Sequence, residues 1–347
     1  MQPVTSSLPS ARAAFDRLCH SRLFWLAAIA GSVAVLSLAS LAFGARAITL
    51  PDILAALSGH DGTIGAAVVA MRIPRTLLAI LAGAALALSG ALMQAMTRNP
   101  LADPGIFGVN MGASLAVVIG VAWFGISSSD AYIWTAIFGA GITALFVYII
   151  GSLGRGGPTP LKLTLAGAAT SIAFASLVIA VVLPRGDIAG GIRSWQIGGV
   201  GGATFERIIP VLPFLLAGLL LAMISARKLN AMALGDELAA GLGENVAVGR
   251  GIAALAAVLL CGATTAICGP IGFVGLVVPH ICRLLVGVDH RWLLPFSALG
   301  GASLLLASDI FGRLVARPGE VDVGIVTALI GGPFFIWIVR RQKVREL

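Results

Sequence analysis

The chain has 347 residues, of which 58% are hydrophobic and only 11% charged, with a formal net charge of +8. Soluble domains carry roughly 25% charged residues, so a water-facing surface cannot be built from this composition, and a polytopic membrane protein is expected in place of a soluble enzyme. The positive charge does not call for nucleic acid as a partner, because the basic residues cluster in short loops beside apolar runs, where they set membrane orientation.

A spanning helix needs about 20 apolar residues. Taken in chain order, ten runs qualify, near 23–43, 74–96, 105–125, 131–152, 161–183, 208–226, 248–268, 272–286, 292–312 and 322–340, the eighth being short. They define an all-α fold class with about ten transmembrane helices. The first run is followed by "FGARA", as at a signal cleavage site. Its polar lead of 22 residues and its length favour a retained helix. The chain divides into a cytoplasmic lead (1–22), a transmembrane domain (23–340) and a cytoplasmic tail (341–347). With both termini inside, the inner segments hold fifteen Lys and Arg residues and the outer ones eight, as the positive-inside rule requires. The 44 glycines point to a tightly packed bundle, since small residues let helices approach closely in lipid. Cys19, Cys261, Cys268 and Cys282 form no CxxC pair and read as small core residues.

Between the second and third runs stands "TRNPLADPGIFGVN", 97–110. Between the seventh and eighth stands "CGPIGFVGLVVPHICRLL", 268–285. Each carries a proline followed by an apolar, glycine-containing turn. In the ten-span topology the two lie in segments of opposite direction, the pattern of an inverted repeat with broken helices. The longest inner segment, 226–250, spaces Leu234, Leu238 and Leu242 by four. It reads as one or two short surface helices, or as an ordinary solvated loop.

Several chemistries have no motif here. The only lysines, Lys162, Lys228 and Lys343, follow Leu, Arg and Gln, so no phosphate-cradling Gly-Lys-[Ser/Thr] loop exists. No span carries paired carboxylates, and Asp309 is the one obvious acid near membrane depth. An ion-driven carrier, the alternative of another class, usually keeps ionisable groups at the midplane. His280, in "VVPHICRLL", is read as a helix residue bonded to a neighbouring carbonyl before it is read as a haem ligand.

The stretches "RIPRTLLAILAGAALALSGALMQAMTRNPLADPGIFGVNMGAS" (72–114), "ALGDELAAGLG" (233–243), "GPIGFVGLVVPHICRLLVGVDHRWLLP" (269–295) and "ALIGGPFFIWIVRR" (328–341) resemble the permease subunits of ABC importers for ferric siderophores, haem and cobalamin. "TRNPLADPG", "GVDHRW" and "RSWQIGG" place the resemblance nearest to ferric catecholate siderophore permeases. The resemblance implies a multi-pass subunit of the bacterial inner membrane that works by alternating access. It implies an inverted repeat of spans 2–5 and 7–10. The implied partners are the lipid bilayer, a second permease subunit (identical or related), two cytoplasmic ATPase subunits and an extracytoplasmic solute-binding protein. It implies no catalytic or metal site in this chain; ATP and Mg are bound by the partner ATPase, and iron is chelated cargo. Haem or cobalamin is the alternative cargo of the same machinery.

Roles follow by position. Arg72, Arg75 and Arg313 match arginines that take acidic residues of the binding protein, a task that suits the planar guanidinium fork. Interface snorkelling, or an internal Asp309–Arg313 pair at a spacing of four, is the competing account. Leu234, Gly235, Asp236, Glu237 and Leu242 match the coupling helix that seats in the ATPase. Thr164, Ala168, Ser171 and Ala175 share one face of span five and line the pathway or serve helix packing. Pro158, Thr159 and Pro160 mark the inner gate.

Overall fold

The computed structural model describes residues 11–44, 48, 50–58, 63–105, 107–153 and 159–341. Among them the structure is all-helical, with helices α1 (Ala11–Ala42), α2 (Leu50–Leu57), α3 (Ile64–Thr97), α4 (Val109–Phe124), α5 (Ser129–Ser152), α6 (Pro160–Val182), α7 (Gly186–Ile197), α8 (Phe205–Ile208), α9 (Leu212–Met232), α10 (Asp236–Gly241), α11 (Val246–Cys268), α12 (Val274–Val286), α13 (His290–Val315) and α14 (Val323–Arg341). A single 3-10 turn, Ile209–Val211, joins α8 to α9. Residues 1–10 of the expected lead and 342–347 of the expected tail lie outside the described residues, and α1 begins inside that lead.

Among the described residues seven helices are long and apolar enough to cross a membrane, and three shorter apolar ones, Val109–Phe124, Val274–Val286 and Val323–Ile338, account for the other apolar runs. The polar connections also fold. "LPDILAAL" makes α2, and the stretch between the fifth and sixth runs makes α7, neither expected from apolar run length. Helix α3 starts ten residues before its apolar run, because Thr63 caps it by accepting from the Ala66 N–H at 3.0 Å. Arg72, Pro74 and Arg75 therefore sit inside a helix rather than in an outer loop.

Helix α3 is the axis of the molecule. It packs on α13 and α12 through glycines that admit no side chain: a Cβ on Gly83 would stand 2.2 Å from the Gly301 carbonyl oxygen, and one on Gly90 2.1 Å from that of Gly275. Contacts within and between α3–α6 and α11–α14 are matched. Helix α3 packs on α13 as α11 packs on α5, and α3 meets α12 as α11 meets α4. Helices α4, α5 and α6 touch one another, as do α12, α13 and α14.

The two broken connections behave alike. Gly108 (φ 76°) precedes α4 and Phe273 (φ 69°) precedes α12, both left-handed. Gly108 thus corresponds structurally to Phe273. Gly275 lies within α12, where it meets Gly90. Cys261, Cys268 and Cys282 are free and buried in the core.

Candidate functional site

Polar side chains gather at two places on α3, around Arg72 and Arg75 in its first third and at its C-terminal end. At the first, Asp309, 1% exposed, lies between two guanidinium groups. Arg75 gives it Nε and Nη2 at 2.9 and 2.8 Å, and Arg313 Nη2 stands 2.7 Å from its other oxygen. Arg75 Nη1 also donates to Glu320 at 2.7 Å. The i,i+4 pair of Asp309 and Arg313, one of the two accounts raised by the sequence, is present.

These arginines also finish α1. The last carbonyls of a helix have no partner within it. Arg313 Nη1 donates to the carbonyls of Ser40 and Phe43, both at 3.0 Å, and Nη2 to the Ser40 hydroxyl at 2.8 Å. Arg72 Nη1 donates to the carbonyls of Leu41 and Ala42 at 2.8 and 3.2 Å. Arg317 reaches the Gly44 carbonyl at 2.6 Å. Positive charge at a helix C-terminus also suits the helix dipole. Arg72 and Arg313 are therefore buried braces of α1, whereas Arg75 is more open, at 14% side-chain exposure, and its partner Glu320 reaches solvent at 41%.

At the other end, α3 terminates at Arg98, whose left-handed backbone (φ 49°, ψ 30°) closes the helix. Its guanidinium Nε and Nη2 both donate to the Met232 carbonyl, at 3.0 and 2.6 Å, and Nη2 also pairs with Asp236. Arg250 Nη2 spans both Asp236 oxygens at 3.1 and 2.9 Å. Gly235, at φ 117°, makes the turn that starts α10. On α10 and its flanks Ala239 is buried, while Leu234, Leu238 and Leu242 are 61%, 62% and 67% exposed, and Glu237 is exposed. Thus the expected short helix forms, and its apolar ridge points away from the bundle. Beside it, Asn230 Nδ2 donates to Asp289 at 2.6 Å, tying α9 to the start of α13. Burial opposes the charge of Asp289, yet the Asn230 amide, the Arg291 N–H and the charges of Arg291 and Arg22 hold its carboxyl below the usual value.

The set on α6 divides. Thr164 Oγ1 accepts from Asn99 Nδ2 at 3.3 Å, and Ser171 Oγ donates to the Gly105 carbonyl at 3.2 Å, so both fasten α6 to the broken connection between α3 and α4. Ala168 and Ala175 are half-buried beside them. The exposed face of α6 carries Ala169, Ile172 and Ser176 instead. Of the expected gate, Pro158 lies outside the described residues; Thr159 accepts from the Lys162 N–H at 3.3 Å and Pro160 opens α6, the ordinary chemistry of a helix start. His280 lies edge-on to Phe334, with ring centroids 5.8 Å apart. Among the described residues no group of three or more His, Cys, Asp or Glu side chains could hold a metal ion.

The sequence did not single out Arg98 and Arg250 as partners of Asp236, nor Glu320 as a partner of Arg75. Their separations, from 14 to 245 residues, leave no local pattern to read. Arg98 did carry one signal: with Asp103 it is one of two charges set between two long apolar runs.

An all-helical, multi-pass membrane protein with two ion-paired clusters on a central helix, and an exposed apolar ridge beside one of them, has the build of a transport permease. A model of the FecCD transport family matches residues 32–341, and the chain belongs to that family. It is 44% identical over 305 residues to the ferric enterobactin transport system permease protein FepD of Escherichia coli, covering 87% of this chain and 91% of that protein. It is 43% identical over 305 residues to the Fe(3+)-citrate import system permease protein YfmD of Bacillus subtilis, covering 88% and 90%. Among solved structures, an inward-facing ABC transporter assigned to the metal-chelate type superposes with a TM-score of 0.78 at 28% identity, over 92% of this chain and 99% of that one.

Proposed function

We propose that this chain is the membrane-spanning subunit of an ABC importer that moves a ferric chelate, of catecholate siderophore type, into the cell by alternating access. The observation that carries this reading is the leucine ridge of α10, held clear of the bundle with 61–67% of each leucine exposed. A soluble partner would bury that ridge, and a separate ATPase is the partner an ABC permease requires. The cargo follows from the likeness to permeases for ferric enterobactin and ferric citrate. Iron stays inside its chelator, and ATP and Mg stay on the ATPase.

In this reading ten spans cross the bacterial inner membrane with both termini in the cytoplasm. Residues 23–340 form the permease domain, and 227–247 its cytoplasmic coupling segment. The matched packing of α3–α6 and α11–α14 supports an inverted repeat. A second permease subunit stands against the exposed face of α6, so that Ala169, Ile172 and Ser176, with Ala168 and Ala175 at the edge, border the pathway. Residues 158–160 lie at its inner mouth. The binding protein docks at the outer part of α3 through Arg75, while Arg72 and Arg313 hold the platform on which it rests. Leu234, Leu238 and Leu242 seat in the ATPase, with Gly235, Asp236 and Glu237 setting the angle of α10.

The test is radio-iron uptake in a strain lacking this gene, with ferric enterobactin, ferric citrate and haem as probes and labelled cobalamin beside them. Loss confined to ferric enterobactin and restored by the gene is the expected result. Loss confined to another probe keeps the importer and replaces the cargo, and no loss with any probe counts against the cargo proposed.

A further inference from the structure

We infer that Arg98 and Arg250 are positioning residues that transmit movement of the coupling segment to the first helices of the two halves, α3 and α11, through the single carboxylate of Asp236. The inference rests on the reading of α10 as the seat of the ATPase.

Three observations carry it. The first is backbone conformation. Arg98 occupies the left-handed region, which costs an L residue about 1–2 kcal/mol and is ordinarily filled by glycine at a helix end. Such strain persists where surrounding contacts over-determine it. Here the contacts are those of its guanidinium, with the Met232 carbonyl at the end of α9 and the Asp236 carboxylate at the start of α10.

The second is how α10 is held. Ala239 is its one buried residue, so apolar packing grips it weakly. The segment is held at its start by Arg98 and Arg250 on Asp236, and at its end by Lys228 on Glu244 at 2.9 Å. A pull on α10 passes along the backbone into α9 and α11, where Arg250 stiffens the link, and it reaches α3, remote in the chain, through the Arg98 pair. Because Arg98, Asp236 and Arg250 are 36–45% exposed, the pairs add only about 0–1 kcal/mol each to stability. Their geometry, more than their energy, is what they contribute.

The third is where the pairs lead. Arg250 stands near the start of α11, and Arg98 closes α3. Along α3, 23 residues separate Arg75 from Arg98, about 35 Å at 1.5 Å per residue. The glycine contacts at Gly83 and Gly90 pack this helix against α13 and α12 with no room to slip past a side chain. The outer ion cluster and the inner one thus sit on a single helix.

Arg98→Gly separates this role from folding, because glycine relieves the left-handed strain while removing the joint. The complex of permease, ATPase and binding protein is reconstituted in lipid nanodiscs. Three quantities are read: ATPase retained on the tagged permease, thermal midpoint, and the ratio of ATP hydrolysis with and without binding protein. For Arg98→Gly the ATPase and the midpoint are retained and the ratio falls about tenfold, within the range of measured couplings between sites. Arg98→Lys, which keeps the charge but not the fork, recovers part of the ratio, and Arg250→Gln lowers it in the same direction.

Leu238→Glu controls for the underlying reading. If it strips the ATPase while Arg98→Gly keeps the full ratio, the joint is overturned and the seat stands. If Leu238→Glu keeps the ATPase, the seat itself is wrong and the joint falls with it. A fall in the ratio for Arg98→Gly that tracks a lower midpoint, with no recovery in Arg98→Lys, marks a plain structural cap and overturns the inference.

Discussion

Asp309 shows why similar arginines at one end of a helix do different work. It is buried between Arg75 and Arg313, and Arg313 is itself 2% exposed and occupied by the end of α1. Removing one partner of a buried pair leaves the other charge uncompensated, at a cost of about 3–5 kcal/mol. Arg313→Ala is therefore expected to destabilise the protein by about that much, read as a lowered thermal midpoint in detergent and as faster proteolysis between α1 and α2. Arg75→Glu is expected to act differently. Arg75 sits at the open edge of the cluster beside Glu320 but also holds buried Asp309, so the change is expected to lower the thermal midpoint as well and, in the fraction that stays folded, to weaken capture of the binding protein, measured by surface-immobilised binding. Equal affinity in Arg75→Glu and the parent chain contradicts the docking role. The sequence placed all three arginines at this end and offered the Asp309–Arg313 pair by its spacing of four. That Arg72 and Arg313 serve carbonyls of Ser40–Phe43 depends on contacts across 30 and more residues, which no local pattern encodes.

At the scale of elements, apolar run length carried most of the fold, because a helix in lipid must satisfy its own backbone and needs a fixed length to do so. Each of the ten apolar runs falls on a helix. Helices α2 and α7 escaped that criterion because they are short and partly polar. The apolar spacing of Leu234, Leu238 and Leu242 was legible, and so was a short helix there. What hid was its anchoring, since Asp236 finds Arg98 from 138 residues away. Two glycines test the packing directly. Gly90→Val places a branched side chain on the Gly275 carbonyl and is expected to cost about 1–3 kcal/mol or to block folding, read as loss of the monodisperse peak on size-exclusion. Gly235→Ala has open space around it but requires φ 117° of an L residue. It is expected to leave the bundle intact and to reduce ATPase retention, read by co-purification.

For the whole molecule, α3 carries two ion-paired clusters, one built on Asp309 and one on Asp236, and in the function proposed the first docks the binding protein and the second couples to the ATPase. The pairing of α3–α6 with α11–α14 gives the subunit two similar halves that meet at α3 and α11. Transport by this unit draws on a partner's ATP rather than on an ion gradient, and that is the central claim. Its most direct test is uptake of radio-iron as ferric enterobactin into liposomes holding the permease with its ATPase, the binding protein being supplied on the side it samples. Uptake that requires ATP and is indifferent to proton and sodium ionophores is the predicted result. Uptake that proceeds without ATP and collapses when ionophores are added would contradict the account and mark an ion-coupled carrier.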